Sequence, residues 1–149
     1  MSDMDPDAHV GAASAGQLWL VDSAHWRWSL FPNQCNLGRV QFTLRRPLEA
    51  SLAVATPGEW ADLQAQLARF EELMSTRFGA DWFNYKQLGN QVRQLHVHGI
   101  PRYQQPVQWG GIVFEDRRYG HDPAPEPDSP LDPAATATLA AHLRSALQA

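Results

Sequence analysis

A long amphipathic helix between two groups of short strands is the sequence feature that most constrains the fold of this chain. The segment Thr56-Pro57-Gly58-Glu59 supplies an N-cap residue, a proline at the first helical position and the glutamate of a capping box. Gly79 supplies a stop signal. The apolar residues between these signals recur every three or four positions: Trp60, Leu63, Leu67, Phe70, Met74 and Phe78. We therefore predict a helix over residues 56–78 that packs one face against a sheet.

Apolar and aromatic runs on both sides of this helix predict strands. They lie at residues 18–21, 26–30, 40–44, 83–88, 91–101 and, as a short edge, 112–114. The first two favour a hairpin, and Gly89-Asn90 is a typical turn pair between the fourth and the fifth. Because strands and helix do not alternate as regular βαβ units, we predict an α+β domain with an antiparallel sheet of about five strands.

The two ends of the chain differ from the central part in composition. Residues 1–16 lack periodicity and Lys or Arg, which predicts a disordered leader before a domain at 17–118. Residues 119–133 are rich in proline and acids, which favours a linker. In residues 134–149, Leu139, Leu143 and Leu147 share one stripe, which predicts a C-terminal helix.

Charge, hydropathy and cysteine content exclude several classes of function. The chain of 149 residues has a net charge of −4, but its acidic ends leave the central part mildly basic. This part lacks the basic stripe of a DNA- or RNA-binding protein. No apolar run approaches the roughly 20 residues of a membrane helix, so we expect a cytoplasmic protein without a membrane partner. A single cysteine, Cys35, excludes an internal disulfide and a multi-cysteine zinc site.

The strand at 91–101 carries an unusual row of polar side chains. Alternate residues of a strand share a face, so Gln94, His96 and His98 point to one side. Leu95 and Val97 point to the other side, towards the helix. A solvated strand face more often carries Thr, Lys or Glu, so this row favours a functional site.

Three interpretations of the two histidines compete. They could ligate a metal, but the common sites need a third ligand, and no Asp or Glu lies between Asp81 and Glu115. They could be two exposed histidines with a structural role. The third interpretation is a nucleophilic imidazole beside a second imidazole that binds an oxyanion or gives a proton, as in phosphoryl and nucleotidyl transfer.

The same segment resembles the histidine triad (HIT) family of nucleotide hydrolases and transferases. The family motif is His-φ-His-φ-His-φ-φ, with φ apolar, and residues 94–100 match it except at Gln94 and Gly99. Other matches occur in the family order: Asn33 before Gly38, the strand 40–44, Arg46-Pro47-Leu48-Glu49, the helix start at 56–59, Asn84 before Gly89-Asn90, and Pro101-Arg102. The resemblance covers residues 26–102 and is nearest to the fragile histidine triad and diadenosine polyphosphate hydrolase branches.

The resemblance implies roles for individual residues. His96 matches the histidine that attacks the α-phosphorus and holds the nucleotidyl group as a phosphoramidate, and His98 matches the last histidine, which contacts the phosphate. Asn33 matches the side chain that holds the ribose hydroxyls. Asn84 and Asn90 match polar residues that contact phosphate or the leaving group.

Two further residues complete the predicted nucleotide-binding set. Gln94 stands at the first motif position, where the family uses the backbone carbonyl to orient the nucleophilic histidine. Arg102 is a cation that could meet a polyphosphate or remain a solvated surface charge. Arg39 stands where many members of the family place another histidine. The aromatic residues before the loop favour either a base pocket or core packing: Trp26, Trp28 and Phe31.

The resemblance implies a homodimer that hydrolyses dinucleoside polyphosphates such as diadenosine tetraphosphate through a nucleotidyl-His96 intermediate. No cofactor is required, although a divalent cation could bind with the polyphosphate. A nucleoside phosphoramidase or a nucleotidyl transferase would use the same residues. The replacements at Gln94 and Arg39 leave a noncatalytic nucleotide-binding module open as an alternative.

Overall fold

The computed structural model describes residues 15–149, so the predicted leader at 1–16 lies outside the described residues except for its last two positions. The described elements in chain order are α1 (Ala15–Leu18), β1 (Trp19–Asp22), β2 (Trp26–Leu30), β3 (Val40–Leu44), a 3₁₀ turn (Leu52–Val54), α2 (Pro57–Phe78), β4 (Trp82–Lys86), β5 (His96–Arg102), β6 (Val107–Trp109), β7 (Ile112–Phe114) and α3 (Pro133–Gln148). Among the described helices, none is long and apolar enough to cross a membrane.

Five of these strands form one antiparallel sheet in the order β1-β2-β3-β5-β4. The histidine strand β5 therefore lies between β3 and β4. His98 pairs with Gln41 of β3 and with Lys86 of β4. This arrangement confirms the predicted α+β class with a five-stranded antiparallel sheet, a long helix and a C-terminal helix.

Helix α2 begins and ends at the residues that its sequence signals predict. The Thr56 hydroxyl accepts a hydrogen bond from the Glu59 backbone N–H (3.1 Å), and the Glu59 carboxylate accepts one from the Thr56 N–H (2.9 Å). The same carboxylate receives two bonds from the Arg46 guanidinium, which lower the pKa of Glu59 to about 2. Gly79 ends the helix with a φ of 82°, a conformation in which glycine has no side-chain penalty.

The face of β5 that points to α2 is closely packed. An added Cβ at Gly99 would lie 2.9 Å from the rings of both Phe42 and Phe70. These rings meet edge to face at 5.4 Å and fill the volume that an apolar residue would otherwise take. The departure from the family motif at Gly99 is therefore a packing feature.

Two predicted strands differ from the structure. Strand β5 begins at His96 instead of residue 91, because the preceding residues bond to the turn after β3: Leu95 N–H donates to the Leu48 carbonyl (2.9 Å). Strand β7 does not join the main sheet. It pairs with β6 in a separate two-stranded sheet through Gly110 and Gly111, which both have positive φ.

Helix α3 belongs to the same hydrophobic core as the sheet. It begins after Asp132, whose side chain accepts the Ala135 N–H at 2.7 Å, and it packs against β1. Leu139 and Leu143 are fully buried in this contact. The C-terminal helix thus covers the first strand of the sheet.

Candidate active site

His96 and His98 lie side by side on the polar face of β5. Their ring centroids are 5.2 Å apart, and the residues are 3% and 6% exposed. The interpretation of two exposed structural histidines therefore does not hold. Thr43 and Gln41 of β3 are their cross-strand neighbours, and Lys86 of β4 is opposite His98.

The backbone before β5 orients His96. Its Nδ1 lies 2.7 Å from the carbonyl oxygen of Gln94, and a carbonyl can only accept, so Nδ1 carries the proton. In the neutral ring, Nε2 then holds a lone pair. The arrangement needs only the backbone of Gln94, whose side chain points away to the turn after β3.

The Gln94 side chain has a structural role. Its amide donates to the carbonyls of Leu44 and Arg46, both at 2.8 Å, and its Oε1 accepts the Leu48 N–H at 2.9 Å. All of these bonds tie the loop before β5 to the turn after β3. Gln94 therefore reaches the site through its carbonyl and not through its amide.

His98 is surrounded by cations and an aromatic ring. Arg39 Nη2 lies 3.3 Å from His98 Nδ1, and the Phe31 ring meets the imidazole edge to face at 5.2 Å. Burial lowers the pKa of His98 to about 3, together with the positive charges of Arg39 and Lys86 and the neighbouring imidazole of His96. His98 is therefore neutral at neutral pH.

Arg39 is itself 5% exposed and held from several sides. Its Nη1 forms an ion pair with Glu126, and its guanidinium lies 4.0 Å over the Phe31 ring. Within the described part of the chain, its Nε is the one buried side-chain polar atom without a hydrogen-bond partner. Phe31 thus joins the site, whereas the other two candidate aromatics, Trp26 and Trp28, are buried in the core.

The acidic segment predicted as a linker lies across this site. We call residues 122–130 the strap. Glu126 pairs with Arg39, Asp122 with Lys86 at 3.3 Å, and the Ser129 hydroxyl accepts the Gln34 N–H at 3.0 Å. Two acids of the strap thus form ion pairs with the two basic side chains beside His98.

The strap also engages Asn33, the predicted ribose contact. Asn33 Nδ2 donates to the Pro127 carbonyl at 2.9 Å, and its Oδ1 accepts the Cys35 N–H at 2.9 Å. Burial raises the pKa of the Cys35 thiol to about 11, so this cysteine stays protonated at neutral pH. A ribose that binds Asn33 would share this amide with the strap, because Nδ2 keeps a second N–H donor.

Arg102 is an internal ion-pair residue. It is 2% exposed, and its guanidinium holds both oxygens of Asp116 at 2.6 and 3.1 Å. Its remaining bonds go to Asn84 Oδ1 (2.6 Å) and to the carbonyls of Arg118 and His121. Arg102 therefore fixes Asn84 and the chain that leads into the strap.

Asn84 and Asn90 lie in different surroundings. Asn84 lines a groove of about 850 Å³ between β4 and the start of the strap, together with Lys86 and His121. Asn90 is exposed in the loop between β4 and β5.

Over residues 15–149, His, Cys, Asp and Glu side chains do not cluster in threes that could hold a metal ion.

The strap and the interior position of Arg102 are the features that the sequence did not predict. Acids and prolines in a row resemble a solvated linker, because their partners Lys86 and Arg39 lie far away in the sequence. Charge was the signal that could have predicted this contact. All charged residues of the strap are acidic, whereas the central part of the chain has an excess of basic residues.

Comparisons with solved structures show that the chain has a known fold. Protein-family models and curated proteins give no match to the chain. A solved histidine triad protein from Marinobacter aquaeolei VT8 is 24% identical with a TM-score of 0.65, over 90% of this chain and 92% of that one. A hypothetical histidine triad nucleotide-binding protein from Sulfolobus tokodaii strain7 is 15% identical with a TM-score of 0.61, over 88% and 83%.

A larger solved protein contains the same fold as one part. The NitFhit protein of C. elegans is 17% identical with a TM-score of 0.61 over 87% of this chain, which spans 27% of that protein. The chain described here thus has the fold of histidine triad proteins.

Proposed function

We propose that this protein is a histidine triad nucleotide hydrolase that cleaves dinucleoside polyphosphates at the α-phosphate, with diadenosine tetraphosphate as the first candidate. The observation that carries the proposal is the bond from His96 Nδ1 to the Gln94 carbonyl, which leaves the Nε2 lone pair on the polar face of β5. The fold shared with a protein described as nucleotide-binding supports the substrate class.

The reaction would proceed in two steps. His96 Nε2 attacks the α-phosphorus, so that a P–N bond forms while the P–O bond to the remaining polyphosphate breaks and its electron pair leaves with that oxygen. Water then attacks the phosphorus, the P–N electron pair returns to Nε2, and a proton is released. With diadenosine tetraphosphate the products are AMP and ATP. His98 stabilises charge on the nonbridging oxygens.

The loss of the first motif histidine does not remove this chemistry. What the nucleophile needs from that position is a hydrogen-bond acceptor, and the Gln94 carbonyl supplies it at 2.7 Å. Imidazole is substantially neutral near pH 7, so the attack requires no cofactor. We propose that a divalent cation enters only with the polyphosphate.

Other activities would use the same histidines. A nucleoside phosphoramidase cleaves a P–N substrate, and a nucleotidyl transferase passes the group to another phosphate instead of water. A noncatalytic nucleotide-binding module is favoured by one observation, the bond from Asn33, the proposed ribose contact, to the Pro127 carbonyl of the strap. We also propose that the protein is cytoplasmic and forms a homodimer. Sedimentation of the purified protein would test the dimer.

Turnover of diadenosine tetraphosphate and of adenosine 5′-phosphoramidate distinguishes these functions. Products separated on a nucleotide column should include AMP for the wild type and for His142→Ala, an exposed control on α3, but not for His96→Ala. AMP from the phosphoramidate alone would favour the phosphoramidase. Nucleotide-dependent thermal stabilisation without any cleavage would favour the binding module.

A further inference from the structure

We propose that Arg39, held by Glu126 of the strap, is a positioning residue that keeps the proton of His98 on Nε2. The assignment deepens the proposed function, on which its catalytic consequence rests. It also makes the strap part of the active site, because the group that anchors Arg39 comes from residues 122–130.

The contact between Arg39 and His98 fixes which nitrogen of the imidazole carries the proton. A guanidinium is always protonated and has only N–H donors. Arg39 Nη2 lies 3.3 Å from His98 Nδ1, so this nitrogen must accept and cannot carry a proton. A neutral imidazole without a proton on Nδ1 carries it on Nε2.

The two histidines carry their protons on different ring nitrogens. The Gln94 carbonyl places the proton of His96 on Nδ1, whereas Arg39 places that of His98 on Nε2. The two neutral rings, 5.2 Å apart, then offer complementary Nε2 atoms: a lone pair on His96 and an N–H on His98. This is the combination of a nucleophile and an oxyanion donor that attack on a phosphate needs.

Arg39 is held in the interior by an ion pair and an aromatic ring. Burying a guanidinium is costly unless it is paired and hydrogen-bonded. Glu126 pairs with Nη1 and Phe31 covers one face, yet Nε remains buried without a partner. An apolar side chain would pack here without this cost, which favours a role for the guanidinium beyond packing.

The charges around His98 favour the neutral ring as well. It faces Arg39 and Phe31 from the region between β2 and β3, Gln41 from β3, His96 on its own strand and Lys86 from β4. Glu126 reaches it only through Arg39, and Asp122 only through Lys86. Because cations are nearest, His98 donates as a neutral imidazole over a wide pH range.

Nitrogen-15 NMR of the histidine rings tests the assignment without substrate. In the full-length wild type we expect a protonated Nε2 and an unprotonated Nδ1 for His98 from pH 8 to pH 5. In Arg39→Met we expect a population with the proton on Nδ1, or protonation of both nitrogens at a pH higher than in the wild type. The control Arg117→Met, which loses an exposed ion pair, should leave the His98 signals unchanged.

Kinetics of the same variants test the consequence. We expect Arg39→Met to lower kcat about tenfold or more with a smaller change in KM, since His98 then no longer keeps the Nε2 proton that it donates in the transition state. Arg39→Lys should recover part of kcat, because an ammonium also only donates. Glu126→Gln keeps Arg39 and should show a smaller loss of the same kind, so the test does not depend on one variant that folds poorly.

Two results would overturn the proposal. One is a wild-type His98 whose Nδ1 is protonated between pH 8 and pH 5, and the other is unchanged ring signals in Arg39→Met. Absence of turnover together with the expected ring signals would refute the hydrolase and leave the positioning role intact. Turnover with the opposite tautomer would do the reverse.

Discussion

The two faces of β5 follow different physical requirements. On the face towards α2, Gly99 lies against Phe42 and Phe70, and what matters there is volume. On the opposite face, His96 and His98 are also buried, at 3% and 6% exposed. The requirement there is which ring nitrogen of each histidine carries the proton. Burial alone therefore does not distinguish core residues from candidate site residues in this strand. Changes on the first face should lower stability, and changes on the second should lower activity.

The largest effect is expected on the polar face. His96→Ala removes the proposed nucleophile, and kcat for nucleotide cleavage should fall by about a thousandfold or more, equivalent to about 4 kcal/mol in the barrier. The melting temperature should also fall, because the ring is 3% exposed and makes one hydrogen bond to Gln94, so kcat is compared at a temperature where both proteins are folded. Steady-state kinetics beside calorimetry check this. Substantial activity retained by the variant would contradict the assignment of the nucleophile.

The opposite face should respond in the opposite way. Gly99→Val places a branched side chain against Phe42 and Phe70, where an added Cβ already lies 2.9 Å from both rings, and should cost about 2–3 kcal/mol of unfolding free energy. Urea unfolding measures the loss, and combining Gly99→Val with Phe70→Leu should recover part of it. Wild-type stability in the single variant would show that this face is not limited by volume.

The free energy of unfolding should depend on pH through His98 on the polar face, whereas the residues of β5 on the apolar face carry no titratable group. The pKa of His98 in the folded protein, about 3, is below the usual value of about 6.5, so the unfolded chain binds the proton first as the pH falls. His98 therefore stabilises the fold fully above about pH 6.5, and this contribution decreases towards pH 3, by up to about 1.4 kcal/mol per pH unit. His98→Asn should flatten the curve of unfolding free energy against pH. Parallel wild-type and variant curves would contradict the shift.

The smallest effect on activity is expected at Gln94. Gln94→Ala keeps the carbonyl that orients His96 but removes three side-chain hydrogen bonds to the turn after β3, so stability should fall by about 1–2 kcal/mol. We expect kcat to stay within about threefold of the wild type. Denaturant unfolding and turnover assays on one preparation give both numbers. A collapse of kcat at unchanged stability would mean that the amide acts directly on the substrate.

Local patterns predicted most of the fold. Helix α2 could be predicted because its cap, stripe and stop lie within one segment, and the alternation of β5 placed His96 and His98 on one face. The separate β6–β7 sheet was not predicted, since a three-residue strand with a glycine turn leaves its partner open. Boundaries of β5 depended on the Gln94 amide, whose bonds no periodicity records.

The surroundings of the histidines depended on distant contacts. Arg102 resembled a surface cation, but Asp116 and two backbone carbonyls bury it. Asn33 was predicted from a resemblance in which the strap has no part, whereas in the structure its Nδ2 donates to the Pro127 carbonyl of the strap. Ion pairs between residues that are remote in sequence, such as Arg39 with Glu126, leave no repeating pattern in one chain.

We propose that His96 carries the nucleotidyl group during turnover, and trapping the adenylylated protein is the decisive experiment. The wild type mixed with diadenosine tetraphosphate should be quenched in alkali, which preserves a P–N bond, and analysed by intact mass and by peptide mapping. We predict one added adenylyl group per chain, located on His96, that is absent in His96→Ala. Rapid formation of AMP without any adenylylated protein, or adenylylation elsewhere in the chain, would contradict the account.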